Sequence, residues 1–230
     1  MGNNLILSIE TSGAACSVAL SQGGSPVGSL SLDDSNRQSS LLAPSIEKLF
    51  SDCDRRIEEC QAVAVSSGPG SYTGLRVGVS TAKGLCYGLR LPLISVGTLD
   101  ILLAEAMTLG ECAGADYFVP MLDARRMEVY QAVYDTAGNC VEAVSAKVLD
   151  ADSYSGLLAE GKVVFIGTGA AKYRDAFAHP GGIYVPCVPK AEFMAVAAQK
   201  AFDDGRFEDV AYFEPFYLKE FVATVKKNPI

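Results

Sequence analysis

One order of strands and helices occurs twice along this 230-residue chain, and it restricts the fold more than any other sequence feature. Each copy begins with three strand-like runs of short length, the last two joined by a glycine-containing turn. The runs lie at residues 5–10, 14–20 and 27–32 in the first copy and at 117–123, 128–134 and 141–149 in the second. The first run of each copy ends in an acid, Glu10 or Asp123. The repetition predicts a duplicated α/β domain with a cleft between its halves.

The remaining elements alternate between buried strands and helices, as α/β folds require. Apolar spacing predicts strands at 61–66, 91–96 and 163–167 and helices at 40–50, 75–89, 98–109, 152–160, 170–177 and 191–203. We therefore divide the chain into lobes at 1–112 and 113–230. The second lobe ends in a tail that starts like a strand near Glu214, carries Lys226 and Lys227, and is expected to be partly mobile. Two unrelated α/β domains with coincidental acids remain the alternative.

Charge and cysteine content restrict the function. The chain carries 27 acidic and 19 basic residues, a net charge of -8, which disfavours unaided binding to a nucleic-acid backbone. Its seven cysteines include no C-x-x-C pair and are expected to be reduced thiols. We find no signal peptide and no apolar run long enough to span a bilayer, so we expect a cytoplasmic protein without membrane contact.

A glycine-rich loop between a buried strand and a helix is the main candidate binding site. Such a loop can present backbone N–H groups and a helix N-terminus to an anion, although this one lacks the Walker A ending and the dinucleotide spacing. Alternatively, its glycines permit positive φ angles and close backbone packing. The candidate nucleotide or anion residues are Gly68, Gly70, Ser71, Thr73, Arg76, Glu10, Asp123 and Arg125.

The helix after this loop contains an unusual number of small residues. Glycine inside a helix costs about 1 kcal/mol relative to alanine, and close approach of another helix is the usual compensation. That helix could belong to this chain or to a partner. The proposed partner interface consists of Gly74, Leu75, Gly78, Ala82, Leu85 and Cys86, and Ser80, Gly84 and Gly88 form a second small stripe.

No self-sufficient catalytic set is evident. Glu10 and Asp123 could face each other to bind Mg²⁺ or act as a base, or each could simply accept loop N–H groups at a strand end. The two cations after Asp123, Arg125 and Arg126, could hold an anion or form surface ion pairs. The single histidine, His179, allows no two-histidine metal site and is a poor candidate for a serine triad. We therefore predict that the chain alone is not an enzyme.

Four segments together resemble the bacterial TsaB family, also called YeaZ. They are residues 5–12, LILSIETS, with 15–20, ACSVAL; residues 68–78, GPGSYTGLRVG; residues 123–125, DAR, with 128–130, EVY; and residues 214–215, EP, with 217–218, YL. The resemblance runs nearly end to end in the same order. It implies the fold shared by actin, sugar kinases and Hsp70 (ASKHA), built from two duplicated ribonuclease H-like lobes.

The resemblance also implies a function in making threonylcarbamoyladenosine at the tRNA position beside the anticodon. Family members are non-catalytic scaffold and dimerisation subunits that pair through N-lobe helices with TsaD, the catalytic subunit, which carries a histidine-containing metal site. The ATPase TsaE joins the assembly. By the same resemblance the chain has no cofactor of its own, ATP or ADP are candidate ligands at a complex interface, tRNA is contacted only indirectly, and a homodimer is expected when the chain is alone.

Two other classes of function remain as alternatives. A small-molecule kinase or phosphatase of the same fold would turn over nucleotide with Mg²⁺, but Gly167-Thr168-Gly169 is the only short candidate for an adenosine loop. A protease acting on partner proteins would need a catalytic base that the sequence does not offer.

Overall fold

A computed structural model of the chain describes residues 2–32 and 38–219. These residues form two five-stranded sheets, one in each half of the chain. The first sheet contains β1 (Leu5–Glu10), β2 (Cys16–Gln22), β3 (Ser25–Leu32), β4 (Ala62–Gly68) and β5 (Leu93–Gly97). The second contains β6 (Tyr117–Asp123), β7 (Glu128–Asp135), β8 (Cys140–Val148), β9 (Val163–Ile166) and β10 (Gly182–Val185). Lys226 and Lys227 of the predicted tail lie outside the described residues.

In the described part of the chain, six α-helices and three short 3-10 helices connect or cover the sheets. The α-helices are α1 (Gln38–Asp52), α2 (Tyr72–Leu89), α3 (Thr98–Ala106), α4 (Ser155–Glu160), α5 (Thr168–Phe177) and α6 (Ala195–Asp203). The 3-10 helices are Ile57–Glu59, Gly110–Cys112 and Ala191–Met194. Within residues 2–32 and 38–219, no helix combines the length and apolarity needed to cross a bilayer.

The two sheets have the same topology. Their strand orders are β3-β2-β1-β4-β5 and β8-β7-β6-β9-β10. In each sheet the first strand is central, antiparallel to the second and parallel to the fourth. This confirms the predicted α/β, actin-like fold with two ribonuclease H-like lobes.

Hydrophobic patterning explains why the same strands are central. All six residues of β1 are buried, as are Phe118–Leu122 of β6, because helices or other strands cover both faces. The edge strand β3 instead alternates between exposed and half-buried positions, since one face packs on α1 and the other meets solvent. The continuous apolar runs of β1 and β6 therefore lie at the sheet centres, and the mixed run of β3 lies at an edge.

Helix α3 lies between the sheets and contacts both. Ile101 packs with Ile6 and Ile94 of the first sheet, whereas Leu102 packs with Leu122 and Ile166 of the second. The segment 191–203 covers the first sheet although it follows the second in the chain. The division at 112/113 thus separates the strands but not the helices that cover them, and it stays a prediction.

The first stripe of small residues on α2 faces the chain itself. Gly74, Gly78, Ala82 and Cys86 are buried against the first sheet. A Cβ added at Gly74 would lie 2.1 Å from the Thr11 carbonyl oxygen, and one at Gly78 would lie 2.2 Å from Thr11 Oγ1. The small residues therefore admit the end of β1 rather than a partner helix.

The predicted partner interface is consequently wrong for these positions. Leu75 is fully buried, and Leu85 is half-buried against the same core as the small stripe. Contacts within the chain therefore compensate the stability that glycine at helix positions 74 and 78 would otherwise cost. The second stripe faces the other way: a Cβ at Gly84 or Gly88 would meet no atom within 4 Å.

Two Gly→Ala substitutions on α2 should have opposite effects on stability. At Gly74, the Thr11 backbone would have to move, and such overpacking typically lowers the free energy of unfolding by about 1–3 kcal/mol. At Gly84, the new methyl group points into open space, and the gain in helix propensity should raise the free energy by about 1 kcal/mol. Urea denaturation of the two variants measures both changes. Equal effects at the two positions would contradict the orientation of α2.

Candidate functional site

A cleft of about 750 Å³ lies between the two lobes, where the carboxyl ends of β1, β4 and β6 meet. One wall consists of the β1–β2 turn at 12–14 and the glycine loop at 69–74. The opposite wall contains residues 122–125 and Thr168. Residues 216–219 of the tail also line the cleft. The duplicated strand ends therefore create the cleft that the sequence predicts.

Close backbone contacts account for the three glycines of the loop. A Cβ at Gly68, whose φ is +110°, would lie 2.6 Å from the Phe216 carbonyl oxygen. At Gly70 the nearest atom would be the Ser12 carbonyl oxygen at 2.6 Å, and at Gly74 it is the Thr11 oxygen noted above. The contacts support the close-packing interpretation of this loop over the anion-binding one.

Two N–H groups of the loop are already used within the chain. The Ser71 amide donates to the Ser12 carbonyl oxygen at 2.7 Å, and the Gly74 amide donates to Ser71 Oγ at 3.2 Å, which caps α2. Thr73 and Arg76 lie on the exposed side of α2, and the Arg76 guanidinium lies 5.1 Å from the Tyr72 ring centroid. An anion at the loop would have to bind through other groups.

Glu10 is sealed inside the first lobe. Its side chain is fully buried, and Oε1 accepts hydrogen bonds from the Ser12 amide at 2.5 Å and Ser12 Oγ at 2.6 Å. Among the residues that the structure describes, none lies within hydrogen-bonding geometry of Oε2. Burial raises the pKa of the Glu10 carboxyl, and the hydrogen bonds from Ser12 only partly oppose this effect. Glu10 does not line the cleft, so it cannot serve the anion site assigned to it.

Asp123 does line the cleft, but its carboxylate is already engaged. Oδ1 accepts from the Arg125 amide at 2.6 Å and from the Lys172 ammonium at 2.5 Å. The Lys172 ammonium also donates to the Glu128 carbonyl oxygen at 3.0 Å. Arg125 lies on the cleft wall with φ +68° and Arg126 follows with φ +49°, so the turn is left-handed at two residues. The predicted facing pair of Glu10 and Asp123 is therefore not formed.

The two acids instead share a structural role. In each lobe, the acid that ends the central strand accepts the amide of the residue two positions later, Ser12 or Arg125. This confirms the alternative in which each acid receives loop N–H groups. The two lobes therefore share this hydrogen bond as well as their strand order.

No catalytic set is assembled elsewhere in the described part of the chain. Within 2–32 and 38–219, no three His, Cys, Asp or Glu side chains cluster as metal ligands. His179 lies in an exposed turn, where its Nδ1 accepts from the Gly181 amide at 3.1 Å. Burial raises the pKa of the Cys60 thiol to about 12 and that of Cys86 to about 11, so neither forms a reactive thiolate near neutral pH.

Sequence reasoning missed the tail as part of the cleft. Phe216, Tyr217 and Lys219 lie far from the glycine loop in sequence but contact the cleft walls. The segment begins without a regular strand, and its described part is anchored rather than loose. The family resemblance was the one sequence signal for this part of the tail, because residues 214–215 and 217–218 belong to it.

Comparison with known proteins agrees with this architecture. The family described as "TsaD: tRNA N6-adenosine threonylcarbamoyltransferase" matches residues 34–227. The Escherichia coli K12 protein named "tRNA threonylcarbamoyladenosine biosynthesis protein TsaB" is 32% identical, and the alignment covers 96% of this chain and 97% of that protein. A Haemophilus influenzae protein of the same name is 29% identical, with coverage of 100% and 99%.

Solved structures give the same result. A Pseudomonas aeruginosa crystal structure described as having "similarity to peptidase YEAZ" superposes with a TM-score of 0.79 at 27% identity, covering 94% of this chain and 100% of that one. The structure named "YeaZ from Pseudomonas aeruginosa" gives a TM-score of 0.76 at 26% identity with the same coverage. Fold and matches define a two-lobed actin-like protein related to the threonylcarbamoyltransferases. Within that class, the chain belongs to the TsaB (YeaZ) family.

The buried carboxyl of Glu10 should make stability depend on pH. Because the folded pKa is raised above 4.5, the folded chain binds more protons than the unfolded chain between 4.5 and the raised value. Ionised Glu10 therefore lowers the free energy of unfolding as pH rises through this window. Glu10→Gln removes that contribution while its Oε1 can still accept both Ser12 hydrogen bonds.

Urea denaturation at pH 5 and pH 8 tests this expectation. The difference in the free energy of unfolding, Glu10→Gln minus wild type, should be more positive at pH 8 than at pH 5. Glu47→Gln, at an exposed position on α1, serves as the matched control and should show no such change. A pH-independent difference for Glu10→Gln would contradict the linkage.

Proposed function

We propose that the chain acts in tRNA threonylcarbamoyladenosine biosynthesis as a non-catalytic scaffold and pairing subunit. Its membership of the TsaB family and the names of its relatives support the pathway. The single observation that carries the pairing role is the open face of α2. The engaged or buried state of Asp123 and Glu10 supports a binding role over a catalytic one.

The open face of α2 is suited to close helix packing. It consists of Thr73, Arg76, Ser80, Gly84, Tyr87 and Gly88, which are all exposed and spaced along one side of the 18-residue helix. Each of the two glycines costs about 1 kcal/mol of helix propensity, and no contact with the described residues at its Cβ position compensates it. Tyr87 is 85% exposed beside them, and tyrosines often anchor protein interfaces. A partner helix could approach over Gly84 and bury Tyr87.

We propose a TsaD homologue as the partner on this face, with a second copy of the chain there when it is alone. A TsaE-type ATPase would join the pair, and ATP or ADP would bind at an interface of the complex. The net charge of -8 supports leaving most tRNA contacts to the other subunits. The alternative, an independent kinase or phosphatase, needs a carboxylate that can act in the cleft, and one oxygen of Asp123 is already held by the Lys172 ammonium and the Arg125 amide.

A bulky charge on the open face of α2 should prevent pairing. We expect wild type and the TsaD homologue of the same organism to form a heterodimer in size-exclusion chromatography with light scattering. Gly84→Arg should weaken that complex by about 100-fold or more, since it fills the centre of the surface. Gly156→Arg on α4 is the matched control, because its Cβ also meets no atom within 4 Å. Co-elution of Gly84→Arg at wild-type levels would overturn the interface.

A second experiment separates the scaffold from the independent enzyme. The isolated chain should show no Mg²⁺-dependent ATP turnover above background in a phosphate-release assay, and Asp123→Asn should leave that result unchanged. Turnover by the isolated chain that disappears in Asp123→Asn would favour the kinase or phosphatase alternative.

A further inference from the structure

The segment from Glu208 to Lys219, termed the strap here, leaves α6 and runs along the first lobe. The Glu208 amide donates to the Leu93 carbonyl oxygen at 2.8 Å, which places the start of the strap on the edge of β5. The Lys83 ammonium then donates to the carbonyl oxygens of Ala211 and Phe213 at 3.0 and 3.1 Å. The strap is therefore fixed to β5 and α2 before it reaches the cleft.

At the glycine loop the strap makes a second set of contacts with the first lobe. The Phe216 amide donates to the Ser67 carbonyl oxygen at 2.7 Å. The Phe216 carbonyl oxygen lies where a side chain at Gly68 would begin, so the glycine admits the strap. The Tyr217 ring centroid lies 4.9 Å from that of Tyr72, the first residue of α2. Backbone and aromatic contacts thus seat residues 216–217 firmly.

The end of the strap crosses to the second lobe. The Lys219 ammonium pairs with the carboxylate of Glu128, the first residue of β7. Leu218 and Lys219 line the cleft together with both of its walls. Among the residues that the structure describes, this is the strap's one ion pair to the second lobe.

The two attachments differ in strength. The Lys219 side chain is 47% exposed and that of Glu128 is 19% exposed, so water and salt reach the pair and weaken it. At residues 216–217 the attachments to the first lobe are a backbone hydrogen bond, a ring contact and a close backbone approach, which salt hardly affects. The lobes themselves stay joined through the apolar contacts of α3.

From this asymmetry we propose that the strap is a latch that closes the cleft. Its first part stays on the first lobe, and the Lys219–Glu128 pair holds residues 218–219 across the cleft. Breaking that pair opens the cleft mouth without detaching Phe216 or separating the lobes. The proposal is independent of the pairing surface on α2.

Hydrogen exchange measured by mass spectrometry on the full chain tests the latch. In Lys219→Gln, amides on both cleft walls, at 12–14 and 70–74 and at 124–128, should exchange about two- to fivefold faster, the factor expected for one exposed ion pair. The Phe216 amide should keep its wild-type rate. Lys200→Gln, at an exposed position on α6, is the control and should change none of these rates.

Two further arms distinguish a latch from a purely local contact. NaCl at about 0.5 M should speed exchange of both walls in wild type but add nothing in Lys219→Gln. Tyr217→Ala should release Phe216 as well, whereas Tyr212→Ala, at a strap tyrosine that is 83% exposed, should not. Unchanged rates in Lys219→Gln, or faster exchange confined to 124–128, would overturn the closure of the cleft.

Discussion

The contact between the end of β1 and the start of α2 determines most of what surrounds it. The carbonyl oxygens of Thr11 and Ser12 approach so closely that only glycine fits at positions 74 and 70. This contact fixes the rotation of α2 about its axis, because one side of the helix must face β1. The opposite side, with Gly84 and Gly88, is therefore turned to solvent. The glycine loop before α2 also forms one wall of the cleft, and its Gly68 leaves room for the Phe216 carbonyl oxygen of the strap.

The acids that end the two central strands, Glu10 and Asp123, lie in equivalent turns but in different surroundings. Both accept an amide two residues later, but Glu10 is enclosed by its own lobe whereas Asp123 faces the cleft beside Lys172. Burial raises the pKa of the Glu10 carboxyl, whereas the Asp123 carboxylate pairs with the Lys172 ammonium. Glu10 is thereby closed off from the cleft, whereas Asp123 stays on the cleft wall with one carboxylate oxygen held by the Lys172 ammonium and the Arg125 amide.

Two kinds of connection hold the lobes at the cleft. Helix α3 joins the sheets through buried apolar contacts on both of its sides. The strap joins them at the cleft mouth through one partly exposed ion pair. An apolar joint resists changes in salt and pH far more than an exposed ion pair does. The lobes are therefore held by apolar contacts of α3, which salt hardly affects, and at the cleft mouth by an ion pair that salt can weaken.

By itself, the sequence indicated two repeats of three strands followed by helices and strands, with a cleft between them, because buried runs and strand-end acids are visible in local pattern. It also indicated that another element packs closely against α2, since glycine inside a helix lowers stability unless a close contact compensates it. Only the tertiary structure decided what α2 meets: the propensity cost at Gly78 and at Gly84 is the same, but Thr11 lies against one and solvent against the other. Burial of Glu10 and the path of Phe216 to Ser67 were equally beyond local pattern, because each depends on residues distant in sequence.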